Sequence, residues 1–271
     1  MKDRSIVITG AGSGLGRAVA LRYAREGWRV GVLDVATDRA RHVAGEVRAT
    51  GAEAMSVTCD VSDESAVKRA ARRVEKTWGS PDVLVANAGV AGSGTLEDTP
   101  MDTWRWIFDV NVFGVVATCR AFLPMMTAAG SGHIVTVSSA AGFVAAPGMA
   151  AYNASKAAVI SISESLRGEV SGRGVSVSVV CPSFFQTRLL EDFRGTEASR
   201  EIAAKLMKRS GLQADDVAES IYRAVRKKEF MVVPHADASR ILLVKRFAPD
   251  VFAYLVRKRG AKMLEAGGGR R

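Results

Sequence analysis

The sequence predicts a single α/β domain in which a parallel sheet of about seven strands is covered by helices on both faces. Short runs rich in Val, Ile and Thr alternate with longer segments of helical periodicity, a rhythm typical of strands joined by right-handed helical crossovers. Several short runs are apolar almost throughout, as expected for strands buried on both faces. The 271 residues contain no repeat and no linker before the final glycines, and 48% are hydrophobic, so we expect one globular domain.

Each strand is placed on a short β-branched run, and each helix on the longer segment between two such runs. This gives strands at 5–9, 29–33, 53–58, 82–86, 133–137 and 175–180, and helices at 15–26, 37–49, 64–77, 101–129 and 152–168. Residues 183–213 break the rhythm, and we interpret them as a helical or loop-like substrate lid. A helix at 215–228 and a last strand at 230–233 complete a domain expected to span residues 1–238.

Residues 239–271 are predicted to form a basic C-terminal extension. The chain has 38 Lys and Arg against 28 Asp and Glu, a net charge of +10, and nine of these cations lie after residue 239 beside two carboxylates. Apolar residues near helical spacing lie among the cations, which is typical of an amphipathic interfacial helix that Pro249 would kink or divide.

Three interpretations of the extension are open. It can cover the substrate cleft or a neighbouring subunit, it can contact anionic membrane lipid, or it can be a solvated appendage. Recognition motifs and aromatic platforms for nucleic acid are missing from the sequence, so nucleic-acid binding is not expected.

Cysteine and histidine usage excludes several classes of protein. The three cysteines and three histidines are widely separated, which argues against a disulfide framework and a metal centre. The apolar run at the amino terminus is too short for a signal peptide. Residues 121–155 carry no charge but contain two prolines and several glycines, so we interpret them as buried core rather than a membrane span. We expect a cytoplasmic protein, with peripheral membrane contact through the extension as one option.

The first predicted strand leads into a glycine-rich turn. Residues 9–16 read TGAGSGLG, a T-G-x-x-x-G-x-G pattern placed directly between a strand and a helix. Glycines allow the backbone to approach a pyrophosphate, and the unpaired N–H groups of the helix amino terminus attract the anion. We therefore expect a dinucleotide cofactor here, in contact with Gly10, Ser13, Gly14, Leu15 and Gly16. A plain tight turn is the alternative.

Asp34 lies at the end of the second predicted strand. A carboxylate at this place can accept hydrogen bonds from the adenosine ribose hydroxyls, and it repels the 2′-phosphate of NADP. Ser13 and Val35, the neighbours best placed to hold that phosphate, are not basic, so NAD is favoured over NADP. The alternative is that Asp34 only caps the following helix.

Two further strand ends are expected to contact the cofactor. Asp60 and Val61 follow the third strand, where the carboxylate can accept a hydrogen bond from the adenine amino group. Asn87, Ala88 and Gly89 follow the fourth strand, where small residues leave room for a ligand at the carboxyl end of a parallel sheet. A loop or capping role for Asp60 and a simple turn after the fourth strand are the alternatives.

Tyr152 and Lys156 form the candidate acid/base pair. Their i,i+4 spacing places both side chains on one face of the predicted helix. A nearby ammonium favours the phenolate, so it lowers the tyrosine pKa from about 10 and makes the tyrosine usable as a general acid or base. Ser139 ends a strand at the same rim of the sheet, where its hydroxyl can hold a substrate oxygen. Taken singly, the pair can be surface packing and the serine a cap, so the hypothesis rests on their conjunction.

These motifs, in this order and spacing, resemble the classical short-chain dehydrogenases/reductases, and the resemblance covers roughly residues 4–233. It implies a Rossmann-like fold. It also implies a homotetramer or homodimer, with the helices at 101–129 and 152–170 between subunits. For the site, it implies that Tyr152 is the acid/base and that Lys156 binds the nicotinamide ribose while lowering the tyrosine pKa.

The same resemblance assigns further roles around this pair. Ser139 would orient the substrate, with Ser138 as a less well placed neighbour. Asn111, in the long helix, would keep a water that links Lys156 to solvent as a proton relay.

The segment after the sixth strand is expected to meet the nicotinamide. By resemblance, Thr187 contacts the carboxamide group, with Pro182 at the start of the same segment. The family usually has Pro-Gly where this chain has Pro182-Ser183. The added side chain is expected to tighten the nicotinamide end of the site or to redirect the lid.

The expected function is reversible hydride transfer between an alcohol and a ketone or aldehyde, with NAD as cofactor. The substrate is expected to be hydrophobic, because the lid and the loops beside it carry a set of apolar side chains that includes Phe143, Phe184, Phe185 and Leu189. The alternative for these residues is packing of the lid itself. An NADPH-dependent 3-oxoacyl reductase and a dinucleotide-sensing module without turnover are the competing functions, and the intact catalytic constellation argues against the sensor.

Overall fold

Seven parallel strands form one sheet in the computed structural model, which describes the backbone of residues 4–267 and the side chains of residues 4–258. The strands are β1 Ser5–Thr9, β2 Arg29–Asp34, β3 Ala54–Thr58, β4 Val83–Ala86, β5 Gly132–Val137, β6 Val175–Val180 and β7 Met231–Val232. Their order is β3-β2-β1-β4-β5-β6-β7, and every pairing is parallel. The chain therefore winds outward in two directions from β1 and β4, and the crevice between these two strands is the switch point at which such sheets bind ligands.

Helices cover both faces of the sheet, as predicted. Within the described residues they are α1 Gly14–Ala24, α2 Thr37–Ala49, α3 Glu64–Trp78, α4 Met101–Phe108, α5 Gly114–Ala128, α6 Ala141–Val144, α7 Ala150–Glu169, α8 Glu197–Lys208, α9 Ala214–Lys227, α10 Ala236–Phe247 and α11 Pro249–Gly267. One apolar cluster joins α1, α2 and α9 to one face, and a second joins α3, α5 and α7 to the other. The predicted single-domain, doubly wound α/β fold is confirmed.

The helix predicted over 101–129 is divided in the structure. A π-helical segment, Asp109–Phe113, separates α4 from α5. It contains Asn111, whose fully buried side chain bonds both the N–H and the C=O of Val90. The π-helical segment is not predictable from the sequence pattern, because one widened turn leaves the apolar periodicity on either side intact. Such π-helical turns are frequent at functional sites.

Residues Met101–Ala128 form the one helical stretch, among the residues that the structure describes, that is long and apolar enough to cross a membrane. Buried core helices share these properties with membrane spans. Here α5 packs against α3 while α4 packs against α7, so the stretch is part of a helical layer of the domain.

The predicted lid contains a short 3₁₀ turn over Arg188–Leu190 and then α8. An isolated parallel bridge between Gly92 and Arg194 joins the lid to the loop after β4. The last strand is shorter than predicted, covering 231–232 rather than 230–233.

The chain beyond Pro234 folds into two helices that meet at Pro249, one of the two outcomes expected for this proline. The predicted domain boundary at residue 238 falls inside α10, where Ala238 is buried in an apolar cluster with Phe143. The side chains of residues 259–271, which carry part of the predicted basic charge, lie outside the described part of the chain.

A buried histidine connects the last three strands. The His133 imidazole on β5 is hydrogen bonded through Nε2 to the Ser178 hydroxyl on β6, at 2.7 Å, and that hydroxyl donates to the carbonyl of Glu229 just before β7. Burial lowers the pKa of His133 to about 4, and the charge of Lys228 acts in the same direction. The unfolded chain therefore binds a proton at His133 more readily than the folded chain does.

We predict that this histidine makes the fold sensitive to acid. Because the folded-state pKa is depressed, the stabilisation is complete above pH 6.5 and is lost as the pH falls towards 4, by up to about 3 kcal/mol. Chemical denaturation at a series of pH values should show the free energy of unfolding falling more steeply in the parent than in His133→Gln, which keeps an N–H donor but does not titrate. The control is His42→Gln on the exposed surface of α2, which should follow the parent profile. Parallel profiles for the parent and H133Q would contradict the assignment.

Candidate active site

The carboxyl ends of the central strands open into one cavity of about 1440 Å³. The glycine-rich turn and Asp34 lie towards the β2 side, and Tyr152 and Lys156 lie towards the β5 and β6 side. Most of the residues predicted to form the site line this cavity: Gly10, Ser13, Gly14, Leu15, Asp34, Asp60, Val61, Asn87, Ala88, Gly89, Ser139, Tyr152, Lys156, Pro182, Phe184, Phe185, Thr187 and Leu189. Gly16, Asn111 and Phe143 are not among the lining residues.

The glycine-rich turn forms a cradle for an anion. Helix α1 begins at Gly14, and its N-cap Ser13 is extended with a hydroxyl that makes no capping hydrogen bond. The N–H groups of the first helical turn have no partner within the helix, and the helix dipole makes this end positive. A Cβ on Gly12 would lie 2.7 Å from the Asp34 carboxyl carbon, so only glycine leaves room here. These features fit the pyrophosphate of a dinucleotide.

Gly16 has a different role from the one we expected. A Cβ at Gly16 would collide with the carbonyl oxygen of Gly10 and lie 2.8 Å from the Ala11 Cα. Gly16 therefore allows α1 to pack tightly against the turn, and it does not line the cavity itself. Gly10, with φ of +64°, makes the corresponding close approach to Ala88, whose Cα would lie 2.7 Å from an added Cβ.

Asp34 is buried at the β2 end of the cavity, where we expect the adenosine. Its Oδ2 accepts a hydrogen bond from the Gly12 N–H at 2.8 Å and its Oδ1 accepts one from the Ala36 N–H at 3.0 Å. Ala36 is the N-cap of α2, so the capping role weighed as an alternative is partly present. Each carboxylate oxygen can accept a second hydrogen bond, which leaves capacity for ribose hydroxyls.

A basic residue that the sequence reasoning missed also lines this end. Arg39, on the first turn of α2, lines the cavity with Asp34 and forms an ion pair with Glu191 of the lid at 3.2 Å. Ser13 and Val35 are the neighbours of a 2′-phosphate that the sequence itself suggests. Arg39 is five residues beyond Asp34 in the sequence, and it is the first turn of α2 that places its side chain near the end of β2.

Asp60 is held locally at the edge of the cavity. Its Oδ1 accepts hydrogen bonds from the Ser62 N–H and hydroxyl, at 2.9 and 2.7 Å. The N-cap of α3 is Asp63, not Asp60, so the helix-capping alternative does not describe this residue. Val61 is buried beside it, against Gly114.

Hydrogen bonds join the ends of β1 and β4. The Asn87 side-chain amide donates to the carbonyls of Thr9 and Gly10, at 2.9 and 3.1 Å. In return, the Thr9 hydroxyl accepts hydrogen bonds from the N–H groups of Asn87 and Ala88. Asn87 therefore fixes the glycine-rich turn against the neighbouring strand, a structural role beyond the simple turn considered from sequence.

Lys156 is buried beside Asn111 and Gly89. Its ammonium donates to the Val137 carbonyl at 3.1 Å, and an added Cβ on Gly89 would lie 3.4 Å from Nζ and 3.1 Å from the Asn111 Oδ1. The Asn111 amide is occupied by the Val90 carbonyl and the Ser155 hydroxyl. The asparagine thus orders the segment after β4 next to the lysine. Its proposed role as a water ligand stays a prediction.

The ionisation of Tyr152 differs from the expectation. Burial raises its pKa to about 12, and a hydrogen bond with Ser139 opposes that rise. Lys156 Nζ lies 5.7 Å from the centre of the tyrosine ring, and burial lowers the pKa of this lysine to about 8. Desolvation is the largest influence on both groups, and it favours the neutral form of each.

Ser138 and Ser139 have distinct surroundings. The Ser139 hydroxyl accepts a hydrogen bond from the Ala141 N–H and donates to the Pro182 carbonyl at 3.2 Å. The Ser138 hydroxyl donates to the Lys156 carbonyl inside the domain. Ser139 also forms a hydrogen bond with Tyr152, so it is the serine beside the tyrosine, and its role towards the substrate stays a prediction.

The substrate end of the cavity is largely apolar. Phe184, Phe185 and Leu189 line it as expected, whereas Phe143 packs into an apolar cluster behind the wall and its neighbour Val144 takes the lining position. The cause is the short helix α6, which was not predicted and which turns Phe143 inward. Thr187 lines the cavity too, against Gly14, and caps the 3₁₀ turn by accepting the Leu189 N–H.

The sequence profile of the short chain dehydrogenase family matches residues 4–198. The chain belongs to this family. Short-chain dehydrogenases are oxidoreductases that bind NAD or NADP, and the glycine cradle and the Ser139–Tyr152–Lys156 group described above occupy the two ends of one cavity in this member.

Named relatives extend the comparison. A probable oxidoreductase, EphD, of Mycobacterium tuberculosis is 34% identical over 267 residues, which cover 95% of this chain but 45% of EphD, so the chain spans less than half the length of that relative. The 1-deoxy-11-beta-hydroxypentalenate dehydrogenase of Streptomyces exfoliatus is 35% identical over 94% of this chain and 90% of its own. A short chain dehydrogenase/reductase of Burkholderia phymatum, solved in complex with NAD, superposes with a TM-score of 0.87 at 31% identity, covering 92% of this chain and 95% of that one.

In this short-chain dehydrogenase the C-terminal helices form part of the cavity wall. Apolar side chains of the two C-terminal helices line the substrate end: Ile241 and Val244 from α10, and Phe252, Leu255 and Val256 from α11. Cover over the cleft was one of three interpretations of the extension. The helical spacing of the apolar residues is evident from the sequence. The surface against which these residues pack depends on the path of the chain after β7, which the sequence does not show.

His235 was also missed as a site residue. Its Nδ1 accepts the Ser183 N–H at 3.1 Å, and its Nε2 lies 3.1 Å from the Phe184 carbonyl, which it can reach only as a donor. These two contacts fix the neutral tautomer with the proton on Nε2. Burial lowers the pKa of His235 below its usual value. The histidine therefore connects the start of α10 to the first residues of the lid, at the place where serine replaces the family's glycine.

We predict that His235→Ala loosens the start of the lid. Loss of the acceptor for the Ser183 N–H, a hydrogen bond of about 1 kcal/mol, should speed amide exchange in residues 182–187 roughly fivefold. Hydrogen–deuterium exchange by mass spectrometry measures this, with His42→Ala on exposed α2 as the control. Unchanged exchange over 182–187 in H235A would show that the histidine does not hold the lid.

Proposed function

We propose that this short-chain dehydrogenase interconverts a hydrophobic alcohol and the corresponding ketone or aldehyde, with NAD as cofactor. The observation that carries the proposal is the arrangement of the cavity. An anion cradle and Asp34 lie at one end, and Tyr152, Lys156 and Ser139 lie at the other, beside an apolar chamber. The apolar side chains of that chamber, among them Phe184, Leu189 and Ile241, suit an uncharged reacting group on an apolar body.

Tyr152 handles the proton in this proposal. As a buried neutral phenol it can donate its proton to a carbonyl oxygen during reduction, and it must lose that proton before it can accept one from an alcohol. Ser139, hydrogen bonded to Tyr152, holds the same substrate oxygen. The nicotinamide, when bound, supplies the hydride chemistry, and the protein supplies alignment and proton transfer.

Lys156 positions the tyrosine and the cofactor. Its ammonium donates a hydrogen bond to the Val137 carbonyl, and the Ser138 hydroxyl donates one to the backbone carbonyl of Lys156. Gly89 and Asn111 lie beside the ammonium. We propose that it binds the nicotinamide ribose and that Asn111 keeps the water through which protons reach solvent. Thr187 and Pro182 complete the nicotinamide end.

Asp34 is the basis for proposing NAD rather than NADP. Its carboxylate is buried at the adenosine end, where a 2′-phosphate would meet like charge. Arg39 in the same wall favours the second candidate, an NADPH-dependent 3-oxoacyl reductase, because a guanidinium can pair with a phosphate. Its ion pair with Glu191 occupies that guanidinium, which is why NAD is preferred.

The remaining proposals concern assembly and location. We propose a homodimer or homotetramer, supported by large apolar side chains exposed on the α4–α5 stretch at Met101 and Phe113. We propose a cytoplasmic protein that binds no nucleic acid and contacts membranes only peripherally. A dinucleotide sensor without turnover is the rival from another class, and a complete Ser139–Tyr152–Lys156 group argues against it.

We predict that Tyr152→Phe abolishes turnover and leaves cofactor binding intact. Loss of the general acid/base should lower the rate by roughly 10²–10⁴-fold, while the phenyl ring preserves packing. A panel of hydrophobic secondary alcohols and ketones, followed at the reduced-nicotinamide absorbance, gives the rate, and isothermal titration gives the affinity for NAD. Tyr23→Phe is the matched control, because that buried hydroxyl has no hydrogen-bond partner among the described residues. No turnover by the parent on any compound would favour the sensor instead.

We predict that the parent binds NAD more tightly than NADP by roughly tenfold or more, equivalent to about 1.4 kcal/mol. Asp34→Asn removes the charge with little change in shape, so the preference should shrink. Asp38→Asn makes the same charge change on the exposed side of α2 and should leave it unaltered. Isothermal titration with both cofactors measures the ratio, and tighter binding of NADP by the parent would support the reductase alternative.

A further inference from the structure

The two C-terminal helices carry apolar residues on opposite sides. Towards the domain, Ile241, Val244, Phe252 and Val256 line the substrate chamber. The pair is held in place by Lys245, whose ammonium donates to the Phe143 carbonyl at 2.7 Å. A helix on a soluble surface normally keeps one apolar stripe towards the core and a polar face towards water. The opposite side of these helices departs from that rule.

We define the outer face as Leu243 and Phe247 of α10 together with Val251 and Tyr254 of α11. Their exposed fractions are 55%, 76%, 53% and 52%, the main group of large exposed apolar side chains outside the α4 and α5 stretch. Leu243 and Phe247 are one helical turn apart, and Pro249 turns the chain so that Val251 and Tyr254 follow. Contiguous apolar surface of this kind marks an interaction site rather than a solvated appendage.

Cations lie beside the aromatic rings of the outer face. The guanidinium of Arg246 lies 5.8 Å from the Phe247 ring centre, and Arg257 and Lys258 each lie 6.0 Å from that of Tyr254. None of these three cations forms an ion pair within the part of the chain that the structure describes. Unpaired cations around apolar and aromatic side chains are the composition of a segment that lies in a lipid headgroup region.

We propose that the outer face docks on an anionic lipid bilayer. Charge decides between this partner and a second copy of the chain: residues 240–271 hold nine Lys and Arg against two carboxylates. Two such faces brought together would repel each other, whereas an anionic surface neutralises them and accepts the apolar side chains.

Docking gives the substrate a route, a step that rests on the proposed function. The helices that present the outer face to lipid also form the inner wall of the chamber. Leu255, the neighbour of Tyr254 in α11, lines the cavity and is also 40% exposed. An apolar alcohol or ketone dissolved in the bilayer therefore reaches the chamber at α11 without passing through water. The substrate class is accordingly a lipophilic molecule that partitions into membranes.

Vesicle flotation of the full-length protein tests the docking without any turnover. The protein should float with phosphatidylcholine–phosphatidylserine vesicles, stay behind with pure phosphatidylcholine, and be released by salt. Arg257→Glu with Lys258→Glu should weaken binding by at least roughly thirtyfold, because two attractive charges are lost and two repulsive ones are added. Arg72→Glu with Lys76→Glu makes the same charge change on exposed positions of α3 and should have no effect.

A second pair of substitutions tests the apolar contribution. Phe247→Glu with Val251→Glu alters only exposed positions, so the fold should persist, and flotation should be lost. Sedimentation velocity of the same variants identifies the rival partner. Failure of the parent to bind anionic vesicles overturns the proposal, and so does a fall in subunit number in F247E/V251E while vesicle binding persists, because the face would then be a subunit contact.

The route is tested with a long-chain secondary alcohol presented in anionic vesicles and a short one dissolved in water. The outer-face variants should raise the KM for the long alcohol and leave kcat and the short-alcohol kinetics unchanged. Equal KM values in parent and variants would overturn the route while leaving the docking result in force. Absence of turnover on both alcohols would count against the proposed function and not against the flotation result.

Discussion

The hydrogen bonds between Thr9 and Asn87 set the geometry on which the site depends. They hold the turn after β1 against the segment after β4, at the point where the strand order reverses. These hydrogen bonds fix the backbone at the base of the crevice. Gly10 allows the turn to approach Ala88, and Gly16 allows α1 to pack against the turn with its amino terminus towards the crevice. If these strand ends separated, the anion cradle and the lysine beside Gly89 would no longer share one cavity.

Burial dominates the chemistry at the other end of that cavity. Tyr152 and Lys156 are each less than a tenth exposed, and desolvation moves both pKa values towards the neutral forms. A neutral phenol hydrogen bonded to Ser139 is able to donate a proton.

The lid and the C-terminal helices form one mechanical unit around the substrate chamber. His235 joins the start of α10 to Ser183 and Phe184, Lys245 joins its end to Phe143, and the bridge at Arg194 joins the lid to the loop after β4. Short contacts therefore connect the C-terminal helices to the residues that line the substrate end of the cavity. The basic extension, for which the sequence leaves three interpretations open, is structurally continuous with the site.

The sequence by itself determined the doubly wound sheet, the cradle and the Tyr152–Lys156 pair, because strand–helix rhythm, glycine spacing and i,i+4 spacing are local properties. It also placed Ser139 and Asp34 correctly at strand ends, since the carboxyl ends of parallel strands share one edge. Only the tertiary structure decided that Phe143 turns inward, that Arg39 lines the adenosine end and that the C-terminal helices face the chamber. Those outcomes depend on contacts between segments far apart in the chain, and burial, which sets the state of Tyr152, exists only once the chain has folded.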